Sequence, residues 1–144
     1  MPIDPRAEAS LKLAPVLEDL DRYELRISGL PEANYELSID GEPATKANTA
    51  ELAKGLNLAI QAGPITKQAQ QVLDLVVKKN NQFFARWRNV QLYDFPAWAQ
   101  TPEAEKLRSA ELARLDQQIS DTEAQLDNAR RPKTRHFELK RAGP

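Results

Sequence analysis

The chain has 144 residues, enough for one domain with a real core and tight for two. Its 20 Lys and Arg against 21 Asp and Glu nearly cancel, and no basic run is dense enough to grip nucleic acid. The absence of cysteine excludes disulfides, thiol nucleophiles and thiolate metal sites, and the longest apolar runs fall far short of a membrane span.

Met1-Pro2-Ile3-Asp4-Pro5 lacks the basic-then-apolar layout of a signal peptide, so the chain as written reads as soluble and without an export signal. Leu11, Leu13, Val16, Leu17 and Leu20 are apolar, and Pro15 interrupts any helix among them, which reads as a short helix or turn leading into a strand. From 22 to 27, Tyr23, Leu25 and Ile27 alternate with Arg22, Glu24 and Arg26, the period of a half-buried strand. Turn chemistry follows over 28–34, and the alternation resumes at Tyr35, Leu37 and Ile39. Asp40-Gly41 suits a tight hairpin, because Gly tolerates positive φ. A third strand near 43–46 completes a meander, and Pro43 puts it at an edge.

The texture changes at Asn48, which with Glu51 three residues on predicts a capping box. Leu52, Leu56 and Ile60 then fall on one helical face, and Gly63-Pro64 ends that helix. Thr66 caps the next, where Ala69, Val72, Leu73, Val76, Phe83 and Trp87 follow steps of three and four as far as Arg88. A break over 89–100 holds Tyr93, Phe95, Pro96 and Trp98. Thr101-Pro102-Glu103 is a strong helix start: a capping hydroxyl, proline at the first position, then an acid near the positive dipole end. Leu112, Leu115, Ile119, Thr122, Leu126 and Ala129 form a heptad-like seam with Thr122 as its weak point, and Pro132 ends the helix. Residues 136–140 alternate once more, as a terminal strand. The predicted class is α+β: a small antiparallel β-meander, a long antiparallel helical hairpin and a C-terminal strand. These form one domain over 1–144, β-rich over 1–47, helical over 48–131, with a tail over 132–144.

Serine hydrolysis needs a nucleophile, a base, an orienting acid and oxyanion donors. Ser10, Ser28, Ser38, Ser109 and Ser120 lie in neither a Gly-x-Ser-x-Gly elbow nor a Gly-Asp-Ser segment. His136, the one histidine, sits in a basic stretch near the tail and reads as a surface residue. One histidine and no cysteine argue against a transition-metal site, and the scattered glycines form no phosphate loop, so no cofactor is expected. The pairs Glu18/Asp19, Asp19/Asp21 and Asp40/Glu42 read as solvated surface or turn residues. The densest cluster is Phe83-Phe84-Ala85-Arg86-Trp87-Arg88, continuing to Tyr93, Phe95 and Trp98. One reading takes Phe83 and Trp87, four apart, into the core with Arg86 and Arg88 on the solvated side. Another makes the cluster a contact with another domain or a partner protein, carried by Phe84, Arg86, Trp87, Arg88, Tyr93, Phe95 and Trp98. A third stacks nucleic-acid bases or sugar rings on it.

Four segments, in order and spacing, resemble a known region: 21–31 (DRYELRISGLP), 35–42 (YELSIDGE), 51–59 (ELAKGLNLA) and 79–88 (KNNQFFARWR). Together they are similar to the region that follows the catalytic domain in bacterial, planctomycete-type SGNH/GDSL hydrolases. The resemblance runs from Pro2 to Arg88, with a weaker match to the final helix and Phe137-Glu138-Leu139; residues 89–100 are shorter than the family pattern. It implies a parent of flavodoxin-like fold, periplasmic or secreted, that hydrolyses acyl esters, acetylated carbohydrate among them. The parent's Gly-Asp-Ser and Asp-x-x-His blocks do not occur here, so no catalytic residue carries over, and Asn57 and Asn81 are not its oxyanion donors. The chain is thus expected to be a non-catalytic accessory portion whose partner is an SGNH catalytic domain or another protein surface. Self-association is compatible with this, and neither nucleic acid nor membrane is expected. The alternative is a free-standing interaction module using the helical hairpin. An enzyme built around His136 ranks last.

Overall fold

The computed structural model describes residues 5–143 apart from 15 and 62, so the readings made at Pro15 and at the first four residues lie outside the described residues. The class is α+β, with small antiparallel sheets, two long helices and a C-terminal strand. The chain divides into two compact units, residues 1–70 with 132–144, and residues 71–131. The β-rich part therefore extends past Asn48 to Gln70 and takes in the tail.

In the first unit, a 3₁₀ segment (Pro5–Lys12) and a one-turn helix α1 (Val16–Asp19) precede β1 (Glu24–Leu25). The main sheet runs β3-β2-β5, antiparallel throughout, with β2 (Asn34–Ile39) between β3 (Glu42–Asn48) and β5 (Phe137–Arg141). The alternation in β2 is realised: Tyr35, Leu37 and Ile39 are buried, and Asn34 and Glu36 are exposed. Asp40 (φ 53°) and Gly41 (φ 82°) both take positive φ, the requirement of a two-residue type I′ hairpin. Pro43 lies on an edge strand, beside a bulge where the register shifts between Leu37 and Ser38.

The first strand does not join a meander. It pairs instead with β4 (Leu56–Asn57), in a separate two-stranded ladder. The reason is that β2 has two edges: the hairpin gives one to β3, and β5 takes the other. The expected helix from Asn48 is also cut short. The capping box forms as read, with the Asn48 side chain accepting from the Glu51 N–H (2.9 Å) and Glu51 accepting from the Asn48 N–H (2.8 Å). Yet α2 (Thr49–Lys54) stops at Gly55, whose φ of 114° suits glycine, and the chain turns extended so that Leu56 and Leu58 enter the core. Two apolar clusters result, one around Tyr35, Ala47 and Leu52, the other around Leu37, Ile39 and Leu58; Leu56 and Leu139 pack against both.

Helix α3 (Pro64–Phe84) begins in this unit, two residues before the expected cap, with the Thr66 hydroxyl donating to the Gly63 carbonyl (2.9 Å). The second unit holds the rest of α3, a π-helical segment (Ala85–Gln91), a short 3₁₀ turn (Ala97–Ala99) and α4 (Pro102–Ala129). Thr101 caps α4 as read, its side chain accepting from the Ala104 N–H (3.2 Å) ahead of Pro102. Lys79 bonds Glu123 and Arg86 bonds Asp116, so numbering rises on α3 as it falls on α4 and the hairpin is antiparallel. Leu115, Ile119, Thr122 and Ala129 are the buried residues of α4. Thr122 is among the most buried side chains of the unit, because its hydroxyl donates to the Gln118 carbonyl (2.9 Å) and carries no unmet polar group into the core.

Candidate functional site

The groups that hydrolysis would need are not brought together. Ser10, Ser28, Ser109 and Ser120 are exposed, the last two on α4, and Ser38 lies in β2 opposite Glu138. Asp40 accepts from the His136 backbone N–H through Oδ1 (2.8 Å) and from Arg135 through Oδ2 (2.8 Å). Its carboxyl is held below the usual carboxylate value, first by that backbone N–H and then by Arg135. Arg135 also donates to Gln68 (2.5 Å), so this cluster ties the terminal strand to the hairpin turn and to the start of α3. Asp40 thus anchors the terminal strand to the hairpin turn. Among the described residues, no group of three or more His, Cys, Asp or Glu could hold a metal ion, and no helix is long and apolar enough to cross a membrane.

Asn57 has a full set of partners. Its Oδ1 accepts from the N–H groups of Tyr23 (3.1 Å) and Ala59 (3.0 Å), and its Nδ2 donates to the carbonyls of Asp21 (3.0 Å) and Leu17 (3.4 Å). All four are backbone groups, so Asn57 clamps β1 to β4.

The surface with chemical character lies on the second unit. The core placement of Phe83 and Trp87 does not hold: they are 56% and 44% exposed, since a hairpin of two helices covers one face of each. Phe84 meets Trp87 edge-on, ring centroids 6.5 Å apart. Leu92, Tyr93, Trp98 and Leu107 are exposed as well, Trp98 at 85%. Arg86 differs from the rest of the candidate set. It turns inward, with Nε and Nη2 on the two oxygens of Asp116 (2.5 and 3.1 Å) and Nη1 on Gln91 (2.6 Å), and Asp116 holds the guanidinium more firmly protonated. Arg88 stays exposed beside Trp87. The Leu92 N–H reaches back to the Trp87 carbonyl (3.0 Å) in the π-helical turn, and Arg86 and Arg88, two residues apart, lie on opposite sides of it as they would on any helix.

The loop after the π segment folds back on α4. Tyr93 and Phe95 pack edge to face at 5.4 Å, and the Arg108 guanidinium sits 4.6 Å from the centre of the Phe95 ring while donating to the Tyr93 carbonyl. Arg108 is the organising residue that the sequence did not single out. Its one signal was a cation two turns into a helix that follows an aromatic loop. Its Nε is buried without a hydrogen-bond partner, at the wall of a cleft of about 340 Å³ lined by Val90, Tyr93, Phe95 and Leu107. A second open cleft, of about 500 Å³, lies between α3 and α4 over Val77, Gln82 and Leu115, and there Gln82 Oε1 is likewise buried and unpaired. Both clefts are open, and each has one buried polar atom in its wall.

No family model matches the chain, and no curated protein matches it significantly. Among solved structures, the fold is similar to part of a gut microbial diltiazem-metabolizing enzyme, with a TM-score of 0.64 and 19% identity over 91% of this chain and 36% of that one. At that identity the likeness is one of fold, and the chain spans about a third of the length of the enzyme it matches.

Proposed function

We propose that the chain serves as the non-catalytic accessory portion of an SGNH/GDSL-type serine esterase and contacts the catalytic domain through the aromatic end of its helical hairpin. The observation that carries this reading is the exposed run Leu92, Tyr93, Trp98 and Leu107, an apolar surface held in shape by Arg108. Three further points support it. The chain has one histidine, and Asp40, bonded at that residue, accepts from its backbone N–H and from Arg135, which supports a hydrolytic site on another domain. The four segments over 21–88 resemble the region after an SGNH catalytic domain. A related fold forms about a third of a longer enzyme chain. The parent chemistry would be acyl-ester hydrolysis, with acetylated carbohydrate as the substrate class the resemblance implies.

The test has two arms. DNA upstream of the Met1 codon should carry, in frame or in an adjacent gene, Gly-Asp-Ser and Asp-x-x-His blocks. The chain alone should not turn over a short-chain chromogenic ester, whereas the catalytic domain should be captured by it and released by Trp98→Ala. No such blocks in the neighbourhood, or turnover by the isolated chain that His136→Ala abolishes, would overturn the reading.

A further inference from the structure

The main sheet ends on two edges, β3 and β5, and they are built differently. β3 carries Pro43 and lies beside the bulge at Leu37 and Ser38, and both features spoil an edge for further pairing. Over 137–141, β5 has neither proline nor glycine, and its register on β2 runs without a shift. Two bonds fix the phase of that ladder: the Asp40 N–H donates to the His136 carbonyl and the Ala142 N–H to the Asn34 carbonyl, both at 2.8 Å. Hydrogen-bonded pairs alternate with non-bonded ones along an antiparallel ladder, so Glu138 and Lys140 also turn N–H and C=O towards β2. Phe137, Leu139 and Arg141 turn theirs off the free edge, where among the described residues they meet no hydrogen-bond partner.

The side chains along this edge complement themselves. Phe137, Leu139 and Arg141 stand on the core face, opposite Ile39, Leu37 and Tyr35; Leu139 packs against both apolar clusters, while Phe137 is left 37% exposed. Glu138 and Lys140 stand on the other face, where they pair along the strand at 3.2 Å with both side chains largely in solvent. An antiparallel two-fold at Leu139 sets each Glu138 opposite the second copy's Lys140. The four charges then alternate in sign across the two strands, and the pair within each strand is kept. Leu139 meets its own copy across the axis, and Phe137 comes beside the second copy's Arg141, whose stem and guanidinium cover the ring. The same register gives every outward N–H and C=O of Phe137, Leu139 and Arg141 a partner. Moving the axis by one residue keeps that bonding phase but sets Glu138 against Glu138, or Lys140 against Lys140, and like charges directly opposite are destabilising. We propose that a second copy of this chain adds antiparallel to the β5 edge, forming an isologous dimer whose sheet runs continuously across an axis at Leu139. The proposal goes beyond the accessory reading and does not depend on it, because the dimer uses none of Leu92, Tyr93, Trp98 and Leu107.

Sedimentation of the full chain over about 5 to 200 µM reads the association directly. The mass should rise from 16.2 kDa towards twice that value. Arg141→Pro removes an N–H that the single chain leaves unused and the dimer needs, at an exposed strand end. It should weaken the dimer at least about tenfold, with circular dichroism and the unfolding midpoint staying near wild type. Cysteine pairs read the register, since the native chain has none. Chains carrying Glu138→Cys and Lys140→Cys, mixed under mild oxidation, should form a mixed disulfide, because the two positions face each other in a non-bonded pair with Cα atoms about 4.5 Å apart. Either variant alone should crosslink at least about tenfold more slowly, because like positions are diagonal neighbours about 7 to 8 Å apart, too far to bridge. A wild-type chain that stays monomeric throughout overturns the proposal, as does a dimer that Arg141→Pro leaves at full strength. Crosslinking as fast in either variant alone as in the mixture overturns the register at Leu139. The accessory reading survives each of these failures, because its own test rests on Trp98 and the upstream sequence.

Discussion

Replacing Asn57 by alanine removes four hydrogen bonds to four backbone groups and leaves β1 joined to β4 by its ladder alone. The bonds are unequal. Those to Asp21 and Ala59 are part-buried at 3.0 Å, that to Tyr23 is exposed at 3.1 Å, and that to Leu17 is long at 3.4 Å. Counting about 1 kcal/mol for each part-buried bond, less for the exposed one and nothing for the long one gives a loss of about 2 to 3 kcal/mol. For a chain of this length that lowers Tm by about 8–12 °C. Asn57→Asp should lose as much at neutral pH. It keeps the two acceptor positions but turns a carboxylate towards the Asp21 and Leu17 carbonyls, which need a donor. The assay is urea and thermal unfolding by circular dichroism, with exposed Asn81→Ala as a control expected to stay within about 0.5 kcal/mol of wild type. A loss under about 0.5 kcal/mol for Asn57→Ala, or equal losses at 57 and 81, would refute the clamp.

Three other outcomes follow from the same structure. Asp40 has a folded pKa below its ordinary value of 3.8, so it stabilises the fold above that value and the contribution is lost as pH falls through the depressed folded pKa; Asp40→Asn should flatten the acid limb of a stability-versus-pH curve, and an unchanged limb would contradict the anchoring role. Thr101→Ala should cost about 1 kcal/mol through loss of the cap on Ala104, read as a shifted urea midpoint, with Thr101→Ser near wild type. Thr122→Val should be neutral or more stable by up to about 1 kcal/mol, because the Gln118 carbonyl keeps its place in the helix ladder while the core gains a methyl; a loss above about 1 kcal/mol would show that the hydroxyl is needed.

What could be read without coordinates was whatever depends on neighbours within about four residues. The Asp40-Gly41 turn, the Asn48/Glu51 box, the Thr101-Pro102 start and the alternation at Tyr35, Leu37 and Ile39 all stand in the structure as read. Each is a local bargain between side chain and backbone, so the residues involved suffice to specify it. Even the early stop at Gly55 had a local sign, overlooked because Leu52, Leu56 and Ile60 kept a helical step across it.

The tertiary structure decided which surfaces meet. The strand at 24–25 found β4 and not β2, because β2 offers two edges and the hairpin and the C-terminal strand, about a hundred residues further on, fill them. Arg86 and Arg88 look alike in sequence, yet one is locked onto Asp116 and the other is exposed; residues two apart lie on opposite sides of any helix, and only the packing of α4 decides which side finds a partner. Whether an aromatic residue is core or contact depends on how many faces of its helix find cover. In this hairpin α4 covers one face of α3 and leaves Phe84 and Trp87 outside, a result that periodicity alone has no means of giving.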